Sequence, residues 1–240
     1  MICKKYSQEQ LESEAEQLLE KFDPTLLSVP KIFDVYSVIE KCLGVDYSWQ
    51  YIRPDQKILG LTAFRDGYVW VSPTPYFYDG ITPIKINLSK GEIVIERTLT
   101  ENSNSGRENF TVMHEVFHQV IHKDIFCNAT GEFIHETTAS ALSGTNHRLK
   151  TNLDFIEYQA NACAAAFLMP RKTVPSIWRR ISGYDYPVSE RFVRSQTIHD
   201  IAERYQVSKQ AMQYRLFHLG LIKPETNYQH FQFNSRVREF

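Results

Sequence analysis

Apolar side chains recur along this chain with two periods, and the changes of period divide it into elements. Over residues 7–22, Leu11, Ala15, Leu18, Leu19 and Phe22 fall three and four apart, the spacing of one helix face. Ser7 with Gln10 supplies a capping box at the start, and Asp23-Pro24 ends the helix. A second helix is expected over 31–43, with Ile32, Val35, Val38, Ile39 and Leu43 turned inward and Gly44 as the stop. From residue 45 to 99 the period falls to two. Runs at 45–52, 58–64, 68–72, 84–88 and 92–99 read as strands of a small, mostly antiparallel sheet, with Asp66-Gly67 as a hairpin turn. In the last run, Ile93 and Ile95 are expected on the face opposite Val94 and Glu96.

Helical spacing returns after a polar loop at 100–109. Phe110, Val112, Met113, Val116, Phe117, Val120 and Ile121 mark a helix running to about residue 122, with Ser105 and Glu108 placed to cap it. Residues 123–151 are polar for nearly thirty positions and read as a long loop, part of it a lid, with room for a short helix in ETTASALSG. A strong helix follows over 154–169 and stops at Pro170; Ala160, Ala162, Cys163, Ala164, Ala165 and Ala166 let a neighbour approach its backbone closely. Residues 197–222 have the grammar of a helix-turn-helix. Ile198, Ile201, Ala202, Val207, Ala211, Leu216 and Leu219 take the buried positions, Ser208 caps the second helix and Gly220 stops it. The sum is an α+β protein: a sheet with helices over 1–185, then a helical, helix-turn-helix-like region over 186–240.

Composition alters this picture little. With 42% apolar and 13% aromatic residues among 240, the chain can bury a core. The net charge of −1 hides an asymmetry, −7 before Arg148 and +6 from it onward, which is weak support for an acidic or nucleic-acid partner. Cys3, Cys42, Cys127 and Cys163 form no C-x-x-C pair, which argues against a disulfide framework or zinc knuckle and fits a reducing compartment. The N-terminus turns polar where a signal peptide needs its apolar segment, and no stretch approaches a membrane span. A cytoplasmic protein with no membrane partner is expected.

Chemistry concentrates in HEVFH. His114 and His118, one helical turn apart, can reach a single metal ion, and Glu115 beside them can take a proton from water. The apolar setting implies burial, and buried histidines and carboxylates need partners. His122 extends the series by another turn, too far along the axis to share one ion easily, so a supporting contact or plain packing suits it better.

Three motifs in order, RENFTVMHEVFHQVIH, IEYQANACAAAFLMP and IAERYQVSKQAMQYRLFHLGLI, resemble the ImmA/IrrE-type metallopeptidases over roughly residues 32–222. The resemblance implies a zincin-like fold and a catalytic Zn²⁺ held by His114, His118 and Glu157. It implies Glu115 as general base and Asn161, one turn after Glu157, as a residue orienting the metal helix or its histidines. It also implies a protein substrate, a helix-turn-helix repressor in the known members. Asp124, His135, His147 and Asp154 are other candidates for the third ligand; Glu157 is preferred because it sits on the small-residue helix, whereas His135 and His147 fall in the expected loop. The family reads H-E-[LI]-G-H, and here Phe117 replaces the glycine, which is expected to reshape the substrate cleft and leave the ligands untouched. Rival readings are a zinc-containing regulator that binds a repressor without cutting it, and a DNA binder acting through 197–222. The second has only Lys209 and Arg215 as basic residues on its second helix.

Overall fold

The computed structural model describes residues 4–76, 78–80, 82–101, 105–127, 134–142 and 151–224. In chain order, α1 spans Gln8–Phe22, with Ser7 and Gln10 closing the capping box reciprocally. Helix α2, Tyr36–Val38, passes into a π-helical turn at Ile39–Leu43 that ends on Gly44 in the left-handed region (φ 63°). This helix is shorter than its apolar spacing suggests. Asp34 accepts the Tyr36 amide on its carboxylate and the Ser37 hydroxyl on its carbonyl, so the helix starts after it and Ile32 is left exposed.

Strands β1 (Tyr47–Gln50), β2 (Ile58–Ala63), β3 (Gly67–Val71), β4 (Ile84–Leu88) and β5 (Ile93–Glu96) follow. Helix α3 takes Thr98–Glu101, inside a region expected to be strand and loop. The apolar helix is α4, Ser105–Phe117; it widens into a π-helical turn at His118–His122 and resumes as α5, Lys123–Cys127. Then come β6 (Ile134–Thr138), α6 (Ala139–Leu142), α7 (Asn152–Leu168), α8 (Val174–Ser182), β7 (Val188–Ser189), α9 (Ser195–Arg204), α10 (Lys209–His218) and β8 (Ile222–Lys223).

The chain forms two units. The first comprises Met1–Lys5, Asp34–Thr145 and Leu149–Ala164, and the second Tyr6–Phe33, Asn146–Arg148 and Ala165–Phe240. In the first, a four-stranded sheet runs β1-β5-β2-β6, parallel at β1–β5 and antiparallel elsewhere. Strands β3 and β4 pair only with each other among the described residues, so Asp66-Gly67 does not close a hairpin between β2 and β3. The Asp66 carboxylate instead accepts the Lys90 amide.

Every residue of β2 and β5 is buried, because both faces of the sheet are covered there. Val94 and Glu96 are therefore as buried as Ile93 and Ile95, and the expected outward face of β5 does not exist. Glu96 is tolerated inside because its carboxylate accepts the Ile52 and Thr98 amides. One face packs Ile58, Leu61, Ala63, Leu88 and Val94 into an apolar cluster. On the other, cross-strand pairing sets Thr62 opposite His135 and Gly60 opposite Thr137. Thr62, His135 and Thr137, with Gly60 beside them, make a small polar patch among otherwise apolar strands.

In the second unit, α10 carries the buried Arg215. Its Nε donates to Met169 O (2.8 Å) and its Nη2 to Glu12 Oε2 on α1 (2.9 Å). Ser208 caps α10 by accepting the Ala211 amide, and Tyr205 donates to Thr173 Oγ1 (3.0 Å). Phe33 meets Phe167 edge to face, and Phe22 packs tilted against both. Arg215 is thus a structural ion pair, and of the two cations expected on this helix only Lys209 is exposed. Among the described residues, no helix is long and apolar enough to cross a membrane, and Cys42, Cys127 and Cys163 are not joined in disulfides.

Candidate metal centre

His114, Glu115, His118 and His122 are completely buried on the α4–π segment. The histidines point their Nε2 atoms at each other, 2.8 Å apart. Glu157, on the first turns of α7, brings Oε2 to 3.3 Å from His114 Nε2 and Oε1 to 3.7 Å from His118 Nε2. The three ligand atoms lie within 4.8 Å of one another, close enough to hold one metal ion.

Hydrogen bonds behind the imidazoles fix which nitrogen carries the proton. Asn161 Nδ2 donates to Ala141 O (2.7 Å), so its Oδ1 faces His114 Nδ1 at 2.9 Å and must accept from it. That leaves a lone pair on His114 Nε2. Similarly, Gln159 Nε2 donates to Lys4 O (2.8 Å), so its Oε1 accepts from His122 Nε2 (3.0 Å). His122 Nδ1 is then the acceptor for His118 Nδ1 (3.0 Å), and His118 Nε2 also presents a lone pair. Two lone pairs face each other at 2.8 Å beside a carboxylate oxygen that is buried and lacks a hydrogen-bond partner. Such an arrangement is repulsive unless a cation sits in it, so the donor set fits a metal.

The electrostatics of the two histidines differ. Burial pushes both histidines towards neutrality. It prevails at His118, while at His114 the Glu157 and Glu115 carboxylates reverse it and raise the pKa. Burial would raise Glu157 too, but the His114 and His135 imidazoles hold it down at about 2.

Glu115 points to the sheet. Thr62 Oγ1 donates to its Oε2 (2.6 Å), whereas Oε1 has no hydrogen-bond partner. Burial lifts its pKa against the pull of His114 and the Thr62 hydroxyl, the direction that suits a proton acceptor near neutral pH. Gly60 makes room for it: a Cβ there would lie 2.5 Å from Glu115 Oε1. Glycine inside a strand beside an irregular register, as between Ile58 and Gly60, marks such a close approach.

Of the other third-ligand candidates, Asp154 caps α7 by accepting the Thr151 amide, and Asp124 is exposed on α5. His147 lies outside the described residues, as do 128–133 and 143–150 of the expected loop and lid. His135 is not in a loop. It sits on β6, with Nε2 2.5 Å from Glu157 Oε1. The strand was hidden from its apolar pattern because its inward side chains, His135 and Thr137, are both polar. Phe117, which stands where the family glycine is expected, is wholly buried.

Burial of His122 is expected to make the protein sensitive to acid. Its pKa is lowered from 6.5 to about 4, chiefly by burial. Between those values the unfolded chain takes up a proton that the folded protein refuses, so the stabilisation is complete above 6.5 and is lost as pH falls towards 4. Denaturant midpoints of chelator-treated protein should drop over that window, with up to roughly 3 kcal/mol from this residue. In His122→Gln the drop should shrink; an unchanged profile would assign the acid sensitivity elsewhere.

A buried His-Glu-x-x-His helix set against a small mixed sheet, with a carboxylate from a following helix close enough to share one ion with both histidines, is the pattern of a metallopeptidase-type centre. The chain belongs to the Peptidase M78 family, the IrrE N-terminal-like domain, which it matches over residues 94–217. No curated protein matched the chain.

Proposed function

We propose that this protein is a zinc-dependent endopeptidase that hydrolyses a peptide bond in a protein substrate, with a helix-turn-helix repressor as its target. The convergence of His114 Nε2, His118 Nε2 and the unpartnered Glu157 Oε2 carries this reading. Those three atoms would hold the ion, and three protein ligands of this type leave a position open for water or substrate, as in catalytic rather than structural zinc sites. Bound zinc supplies Lewis acidity, which acidifies water and polarises a carbonyl.

The chain's own residues handle the proton. Glu115 Oε1, free of hydrogen bonds, takes it from the attacking water while Thr62 holds Oε2 in place. The same carboxyl then delivers it to the departing amine. Asn161 and the Gln159–His122 relay keep both histidines in the tautomer that offers Nε2. A regulator that only bound a repressor would need no buried, uncommitted carboxylate next to the ligands. Helices α9 and α10 read as a helix-turn-helix-like pair serving architecture or protein docking. With Arg215 tied to Glu12, little positive charge remains on α10 for a DNA backbone.

The test is to incubate zinc-loaded protein with the regulators encoded beside its gene and read the products by mass spectrometry. We expect two fragments whose masses sum to the substrate plus one water, and none when a chelator is present. Intact regulators across the set, with stable stoichiometric binding, would favour the non-proteolytic reading.

A further inference from the structure

The polar patch on the sheet contains a histidine that the ligand set does not use. His135 is 7% exposed, and register fixes it opposite Thr62. Its ring packs against Phe126 (4.9 Å between centroids), which in turn stacks on Phe64 (4.4 Å). Its other neighbour is the His118 ring at 4.4 Å. An imidazole so confined has one orientation, and Nε2 then meets Glu157 Oε1 at 2.5 Å. A carboxylate oxygen can only accept, so the hydrogen is on Nε2. That nitrogen therefore has no lone pair to give a metal, and the atoms that converge within 4.8 Å come from His114, His118 and Glu157.

We propose that His135 is a positioning residue of the metal centre: its Nε2–H holds Oε1 of Glu157 and so dedicates Oε2 to the ion. This rests on the ligand set adopted above. Glu157 needs such an anchor more than the histidines do. Its side chain has three torsions and keeps 15% of its surface exposed, whereas both imidazoles are sealed. Released from His135, the carboxylate could rotate towards water or offer both oxygens to the ion. The anchor divides the carboxylate's labour, one oxygen for the protein and one for the metal. It also ties the metal centre to β6 as well as to two helices.

Full-length variants are compared for zinc affinity, by competition with a chromophoric chelator, and for the visible spectrum of the cobalt(II)-loaded form. His135→Ala should weaken zinc by about 10- to 100-fold, the usual cost of losing a partner behind a ligand, and should alter the cobalt bands. His135→Gln, whose amide can donate to Oε1, should recover most of the affinity. Glu157→Ala should weaken binding further, and adding His135→Ala to it should cost nothing more, since the anchor has nothing left to hold. Affinity within a factor of about three of wild type in a folded His135→Ala protein would overturn the proposal. So would an undiminished penalty on the Glu157→Ala background, because His135 would then be acting on the metal directly. If Glu157→Ala alone left zinc binding intact, the ligand set itself would fall, and with it the function proposed above.

Discussion

Protein carrying Glu115→Gln should bind zinc as tightly as the wild type and lose cleavage by about 100- to 10,000-fold, the usual contribution of a positioned acid–base group. The substitution is nearly isosteric. Glutamine's amide oxygen can still accept the Thr62 hydroxyl now bonded to Oε2, so the side chain keeps its place. What it loses is basicity at the position of Oε1, the atom left without a partner in a wholly buried setting. The fold should tolerate the change, because burial already disfavours the Glu115 charge. Elemental analysis checks the metal, and fragment quantification checks the rate. Cleavage at wild-type rates by this variant would remove Glu115 from the mechanism.

Gly60→Ala should damage the same carboxylate from the other side. The added Cβ would sit 2.5 Å from Glu115 Oε1 and 3.0 Å from its Cδ and Cγ. In an open site the end of a glutamate would swing aside cheaply, but this one is sealed and tethered to Thr62. Either the strand or the carboxylate must move. Overpacking of this kind costs about 1–3 kcal/mol, and displacing a catalytic group by about an ångström can cost roughly 100-fold in rate. Zinc affinity should stay near wild type, since no ligand atom is touched. The signature is thus a lower melting temperature and a large fall in kcat at unchanged metal content; full activity in a normally folded G60A protein would contradict the close packing.

The helices and the residues gathered at the candidate centre were largely legible in the sequence, and the reasons are physical. The α4 stripe, the capping box at Ser7 and the stops at Gly44 and Gly220 are local signals, and all appear in the structure. Glu157 was reached through the order of motifs together with the small-residue helix that carries it. What escaped was β6. A strand is read from apolar alternation, and in IHETT the inward positions are given to His135 and Thr137, which serve the site. The same cause hid Gly60 and Thr62, which look in sequence like weak points of a strand. The π-helical turn at His118–His122 also left no trace, because widening a turn by one residue does not disturb an apolar helix enough to show. Strand partners, finally, depend on pairing across the chain, so β3 was assigned to the wrong neighbour although its limits were nearly right.

The stretch that matches the family begins at residue 94, inside β5. Strand β2, which lies between β5 and β6 and contributes Gly60 and Thr62, is upstream of it. A minimal fragment cut to the matched residues would keep every expected ligand and the glutamate of HEVFH. It would also be a sheet without its middle strand, with β5 and β6 stripped of their shared neighbour and Glu115 of the Thr62 hydroxyl that donates to it. The part of the chain that identifies the family is therefore smaller than the sheet on which the candidate site is built.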